Sequence, residues 1–107
     1  MNLRSISMGS TWYVYIIQSE VTGKLYTGIT NDPQKRIRAH NQGKGAKATR
    51  AGRPWGLIYL EGVADKGSAL RREFAIKQLP RSKKLTLTQG QTASQRLLIE
   101  LLTPDAP

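Results

Sequence analysis

Short apolar runs come first along the chain, rich in aromatic and β-branched residues; later apolar positions recur at helical spacing. Trp12 to Ile17 predicts a strand, and Leu25 to Thr30 predicts a second. Thr22-Gly23, inside the Ser19 to Lys24 break, is a turn signal that joins them as a hairpin with a slightly long loop. Asn31-Asp32-Pro33 then opens a helix, with Asp32 suited to the N-cap and Pro33 to the first helical position. That helix is expected to reach about Asn41 and to end near Gly43. Residues 42 to 53 form a Gly/Lys/Arg loop carrying Lys44, Lys47, Arg50 and Arg53.

Gly56 to Val63 predicts a third strand. Ser68 reads as the cap of a second long helix to about Leu79, broken by Pro80. Ser82 to Leu87 predicts a short helix. Thr92 and Gln95 have capping-box spacing ahead of Leu97-Leu98-Ile99, so a last helix is expected to reach Leu102, with a tail after it. The order β-β-α-β-α-α-α places the chain in the α/β (α+β) class, as a three-stranded, mainly antiparallel sheet flanked by helices. A flexible extension is expected over residues 1–9, the main domain over 10–88, and a C-terminal helix and tail over 89–107.

Length limits this to one domain with one modest core, since the chain has 107 residues. The absence of cysteine excludes disulfides and thiolate metal sites, and fits a reducing compartment. No apolar run approaches the ~20 residues of a membrane span, and the first ten residues hold no secretory h-region. Charge narrows the function classes further. Seventeen Lys and Arg against seven Asp and Glu give +10, which draws polyanions, nucleic acid foremost. An anionic membrane surface or plain solubility is the alternative.

Helical spacing picks out candidate chemistry. Pro33, Arg36, Ile37 and His40 share one arc of the first helix, and Arg36 and His40, four apart, are neighbours at the edge of its apolar line. An arginine beside a histidine suits phosphate, because guanidinium grips phosphate bidentately; an ordinary basic helix face fits the spacing too. On the second helix Glu73 falls inside an arc of Ala69, Leu70, Phe74 and Ile76. It can pair with Lys77 or Arg36, or serve as a ligand for a hard divalent cation. Tyr13, Tyr15 and Ile17 share a face of the first strand, and Tyr26, Gly28 and Thr30 share one of the second. Tyrosines so placed are commonly packing. Gly28 fits a close substrate, a packed helix or a plain strand-end glycine.

Taken in order, these residues resemble the GIY-YIG nuclease family. Tyr13-Val14-Tyr15 stands at the first tripeptide, Tyr26-Thr27-Gly28 at the second, Arg36 and His40 at an R-x-x-x-H helix, and Glu73 at the lone glutamate of a later helix. The resemblance spans about residues 10 to 88. Tyr13 stands where the family has glycine, Thr27 where it has isoleucine, and no asparagine follows Asn41. The Gly-Lys-Gly-Ala-Lys loop at 43 to 47 and the Leu-Arg-Arg-Glu-Phe helix resemble the small stand-alone bacterial branch of YhbQ-like proteins.

That resemblance implies a cytoplasmic, metal-dependent endonuclease or phosphodiesterase acting on nucleic acid, DNA ahead of RNA, with little sequence preference. With no apolar run of membrane-spanning length, no membrane association is expected; the sequence leaves the oligomeric state open, a monomer being favoured. Tyr15 would be the general base, which asks for a pKa lowered from about 10, with Arg36 and a metal-bound phosphate favouring the phenolate. Tyr26 would orient water or phosphate, and Arg36 would clamp the non-bridging oxygens. His40 would hydrogen-bond the water, the tyrosine or phosphate. Glu73 would hold one Mg²⁺ or Mn²⁺. Gly28, Lys44, Lys47, Arg50 and Arg53 would lie against the substrate. Two other readings stay open: a non-catalytic nucleic-acid-binding module on the same fold, and an interaction protein docking through Leu98 and Leu101.

Overall fold

β1 (Trp12–Ser19) is apolar on both faces, and it is the centre of the sheet. Val14 and Ile16 point to one side and Tyr15 and Ile17 to the other, all at most 1% exposed. A strand covered on both faces reads as a continuous apolar run, as this one does. The computed structural model describes residues 11–102; the extension expected over residues 1–9 and the tail after Leu102 lie outside them. β2 (Leu25–Thr30) and β3 (Trp55–Val63) flank β1 in the order β2-β1-β3, both antiparallel to it. Four helices follow the pattern: α1 (Pro33–Asn41), α2 (Lys66–Lys77), α3 (Arg81–Gln89) and α4 (Ala93–Leu102), with one 3₁₀ turn at Lys47–Thr49. The fold is α+β, in the element order the sequence predicts.

Two apolar layers sandwich the sheet. On one face Tyr15, Ile17, Leu57 and Leu60 meet Ile37 of α1, with Ile99 and Leu102 of α4 against them. On the other Val14, Ile16 and Tyr59 meet Ala69 and Ile76 of α2 and Leu87 of α3. A bulge in the β1–β3 pairing, where Ile16 faces Tyr59 but Ile17 faces Leu57, lets Leu57 and Leu60 reach the same face.

Local signals account for most boundaries. Asp32 caps α1 by accepting the Lys35 N–H at 3.1 Å, with Pro33 leading the helix. The Thr92/Gln95 capping box forms reciprocally: Gln95 accepts the Thr92 N–H at 2.7 Å and donates its own N–H to Thr92 Oγ1 at 3.1 Å. The cap of α2 is Asp65 rather than Ser68; Asp65 Oδ1 accepts the Ser68 N–H at 2.7 Å, and Ser68 lies in the first turn. The expected apolar arc of α2 is also corrected. Ala69 and Ile76 are buried, whereas Leu70 and Phe74 are 46% and 67% exposed.

β3 is an outer strand, yet its free edge is partly occupied. Gln91 accepts the Leu60 N–H at 3.1 Å and donates to Ile58 O at 2.9 Å, and Gln95 donates to Leu60 O at 2.8 Å.

Candidate active site

The hairpin register places the two tyrosines. Tyr15 pairs with Gly28, and Ile17 with Tyr26. Directly opposed residues share a face, as do residues two apart, so Tyr15 and Tyr26 lie on the same side of the sheet. Their ring centroids are 6.5 Å apart. The close neighbour of Gly28 is the Tyr15 phenol, which lies across it: a Cβ there would stand 2.5 Å from the phenolic oxygen.

α1 packs on this face and delivers His40 and Arg36. His40 is fully buried, and its Nε2 is 2.7 Å from the Tyr15 hydroxyl. Its ring meets that of Tyr26 edge-on at 5.4 Å. Arg36 sits half-buried one turn earlier. Its hydrogen bond and charge act on Tyr15, and its charge acts on His40.

The loop after α1 has two sides. Its cations Lys44, Lys47, Arg50 and Arg53 are exposed, as a phosphate-contacting loop requires. Its inner side closes over His40. Thr49 Oγ1 is 2.7 Å from His40 Nδ1, and a Cβ on Gly45 would be 2.3 Å from that nitrogen. Trp55 Nε1 donates to Thr49 O at 2.9 Å. Asn41, at the end of α1, holds the Trp55 backbone in a pincer, accepting its N–H at 2.7 Å and donating to its carbonyl at 3.0 Å. Sequence reasoning missed Thr49, Gly45, Asn41 and Trp55. The available signal was the histidine itself, since a buried imidazole needs a partner for each nitrogen and the following loop holds one threonine.

Burial dominates the electrostatics. It raises the Tyr15 pKa to about 12, outweighing Arg36, whose hydrogen bond and charge favour the phenolate; Tyr26 and Glu73 push further upward. The lowered phenol that the sequence reading asks for is therefore reversed in the free protein. Burial, and then Arg36, lower His40 to about 4, so its ring is neutral at pH 7.

Glu73 comes from the other layer. It shares the sheet-facing line of α2 with Ala69 and Ile76, which pack beneath Val14 and Ile16. Its side chain is 19% exposed and pairs with Lys77 at 3.4 Å, the ordinary i,i+4 alternative. Its charge acts on Tyr15. Among the described residues no group of three or more His, Asp or Glu side chains could cage a metal. One carboxylate oxygen does fit Mg²⁺ or Mn²⁺, which keep several waters and take further oxygens from a substrate phosphate.

Comparison with known proteins adds to this geometry. The family model described as the GIY-YIG catalytic domain matches residues 11–86. The UPF0213 protein YhbQ of Salmonella arizonae is 44% identical over 93 residues, 87% of this chain and 92% of that protein. YhbQ of Escherichia coli is 39% identical over 94 residues, 88% and 93% of the two chains. The solution NMR structure of UPF0213 protein BH0048 from Bacillus halodurans aligns with a TM-score of 0.50 at 38% identity, covering 78% of this chain and 87% of that one.

Proposed function

The chain belongs to the GIY-YIG family, and on that premise we propose that it is a metal-dependent nuclease hydrolysing nucleic-acid phosphodiester bonds with little sequence preference. The observation that carries the reading is the 2.7 Å hydrogen bond between the Tyr15 hydroxyl and His40 Nε2, with Arg36 acting on both groups. A phenol with a pKa of about 12 is not a standing phenolate. It takes a proton from the attacking water as it gives its own to His40. Arg36 depresses His40 in the free protein; a bound phosphate offsets that charge, making the imidazole a better acceptor when substrate is present. Arg36 itself clamps the non-bridging oxygens, where charge grows in the transition state. The Tyr26 hydroxyl orients water or phosphate.

Glu73 would hold Mg²⁺ or Mn²⁺; when bound, the cation supplies Lewis-acid stabilisation of phosphate oxygens. Lys44, Lys47, Arg50 and Arg53 contact the phosphate backbone, which gives affinity without sequence readout. No helix among the described residues is long and apolar enough to cross a membrane.

A second reading, a nucleic-acid-binding module without cleavage, draws on the burial of Tyr15, 1% exposed, and on the Lys77–Glu73 pair. One experiment separates them. Single- and double-stranded DNA and RNA are incubated with the protein in Mg²⁺, Mn²⁺ or EDTA, alongside Tyr15→Phe and Glu73→Ala. Cleavage in metal that stops in EDTA, and falls roughly 10²-fold or more in Tyr15→Phe, supports the nuclease. Tight binding without cleavage by wild type in either metal overturns it.

A further inference from the structure

His40 is the one histidine of the chain, and both of its nitrogens are engaged in a fully buried site. Which nitrogen carries the proton follows from Thr49. A threonine hydroxyl has one proton and two lone pairs. Thr49 Oγ1 is 2.9 Å from the Ala46 carbonyl oxygen, which can only accept, so the hydroxyl donates there. A lone pair of Oγ1 is then left facing His40 Nδ1 at 2.7 Å, and that nitrogen must be the donor. In a neutral ring the other nitrogen is bare. Nε2 therefore accepts from the Tyr15 hydroxyl, and the donors run one way: Tyr15 to His40, His40 to Thr49, Thr49 to Ala46.

We propose that Thr49 is a positioning residue: it holds His40 in the Nδ1–H tautomer, and so keeps Nε2 as the acceptor for the Tyr15 proton. The role in turnover rests on the nuclease reading; the tautomer assignment does not. The loop is built for the task. Thr49 N–H also donates to Ala46 O at 2.9 Å, Trp55 fixes the Thr49 carbonyl, and Gly45 lies flush against the ring. The charged or titratable groups acting on the imidazole are Arg36 from its own helix and Tyr15 and Tyr26 from the sheet. None of these offers Nδ1 an acceptor in place of Thr49. During turnover the water proton passes to Tyr15, the Tyr15 proton passes to Nε2, and the positive ring keeps its Nδ1–H bond to Thr49.

The single histidine makes ¹⁵N NMR of the full chain unambiguous. Wild type should show a protonated Nδ1 and a bare Nε2. Thr49→Val should abolish that preference and lower kcat roughly 10²-fold with little change in KM. Thr49→Ser, which restores the hydroxyl, should recover the tautomer and most of the rate. Thr49→Ala gives the same readout if the valine protein does not fold. A wild-type ring protonated at Nε2 overturns the proposal, as does a Thr49→Val or Thr49→Ala protein with wild-type tautomer and rate. Should wild type cleave nothing, the nuclease reading fails while the NMR measurement still decides whether Thr49 sets the tautomer.

Discussion

The Tyr15 phenol crosses the backbone of Gly28, its direct partner in the β1–β2 register, leaving no room for a side chain: a Cβ at 28 would lie 2.5 Å from the hydroxyl oxygen and 2.7 Å from Cζ. The glycine is the floor on which the phenol lies while it bonds to His40. Gly28→Ala should push the ring off that floor and break the His40 bond. The expected cost is about 1–3 kcal/mol from overpacking, read as a lower urea midpoint. Cleavage should fall with it, and a changed His40 Nε2 shift would show that the bond is lost.

Acid should loosen the fold through His40. Its pKa in the folded chain, about 4, lies below the ordinary 6.5, so between those values the unfolded chain binds the extra proton. The stability tied to the neutral ring is present above pH 6.5 and is lost as pH falls toward 4. The full difference amounts to about 3 kcal/mol. Urea titrations from pH 8 to pH 4 should show this decline, and His40→Gln should flatten it. A wild-type midpoint that does not respond between pH 7 and pH 4.5 contradicts the neutral buried ring.

Lys77 competes with any cation for Glu73. The pair at 3.4 Å is half-exposed on the lysine side and contributes little to stability, within about 0.5 kcal/mol. Lys77→Ala should therefore leave the melting temperature nearly unchanged while lowering the Mg²⁺ or Mn²⁺ concentration for half-maximal cleavage. A higher requirement would mean that the lysine serves the metal-bound state instead.

The exposed loop cations should act on binding and not on chemistry. Replacing Lys44, Lys47, Arg50 or Arg53 with Gln should weaken affinity for all sequences alike. Each lost phosphate contact should reduce the slope of log K against log salt by about 0.7–0.9. The cleavage rate at saturating substrate should hold, and a rate that drops instead places that residue at the scissile phosphate.

Much of this is legible in the amino-acid sequence itself. Strands show as dense aromatic and β-branched runs, and caps such as Asp32 and the Thr92/Gln95 pair are local chemistry that needs no tertiary context. Arg36 and His40 are legible as neighbours because helical spacing alone sets their relation. What stayed hidden depends on what crosses what. Gly28 and Gly45 are each defined by a ring belonging to another element, which no local pattern reports. Thr49 looks like any loop threonine until the chain folds back over His40. Leu70 and Phe74 misled because an apolar side chain on a helix need not be buried; the line of α2 that meets the sheet runs through Ala69 and Ile76, where small size and close approach count for more than hydrophobicity. The sign of the Tyr15 pKa was likewise out of reach, since it depends on how completely the ring is enclosed.

The glutamines along β3 have a consequence for how these molecules behave together. A primary amide presents the same donor and acceptor as a peptide unit, so Gln91 engages Leu60 N–H and Ile58 O much as a neighbouring strand would, with Gln95 taking Leu60 O. A second copy approaching this side meets a ladder already filled at its middle rungs. Two uncharged side chains thus act as a terminator against sheet growth from molecule to molecule, in a protein whose high concentration of like charge is otherwise its main guard against self-association.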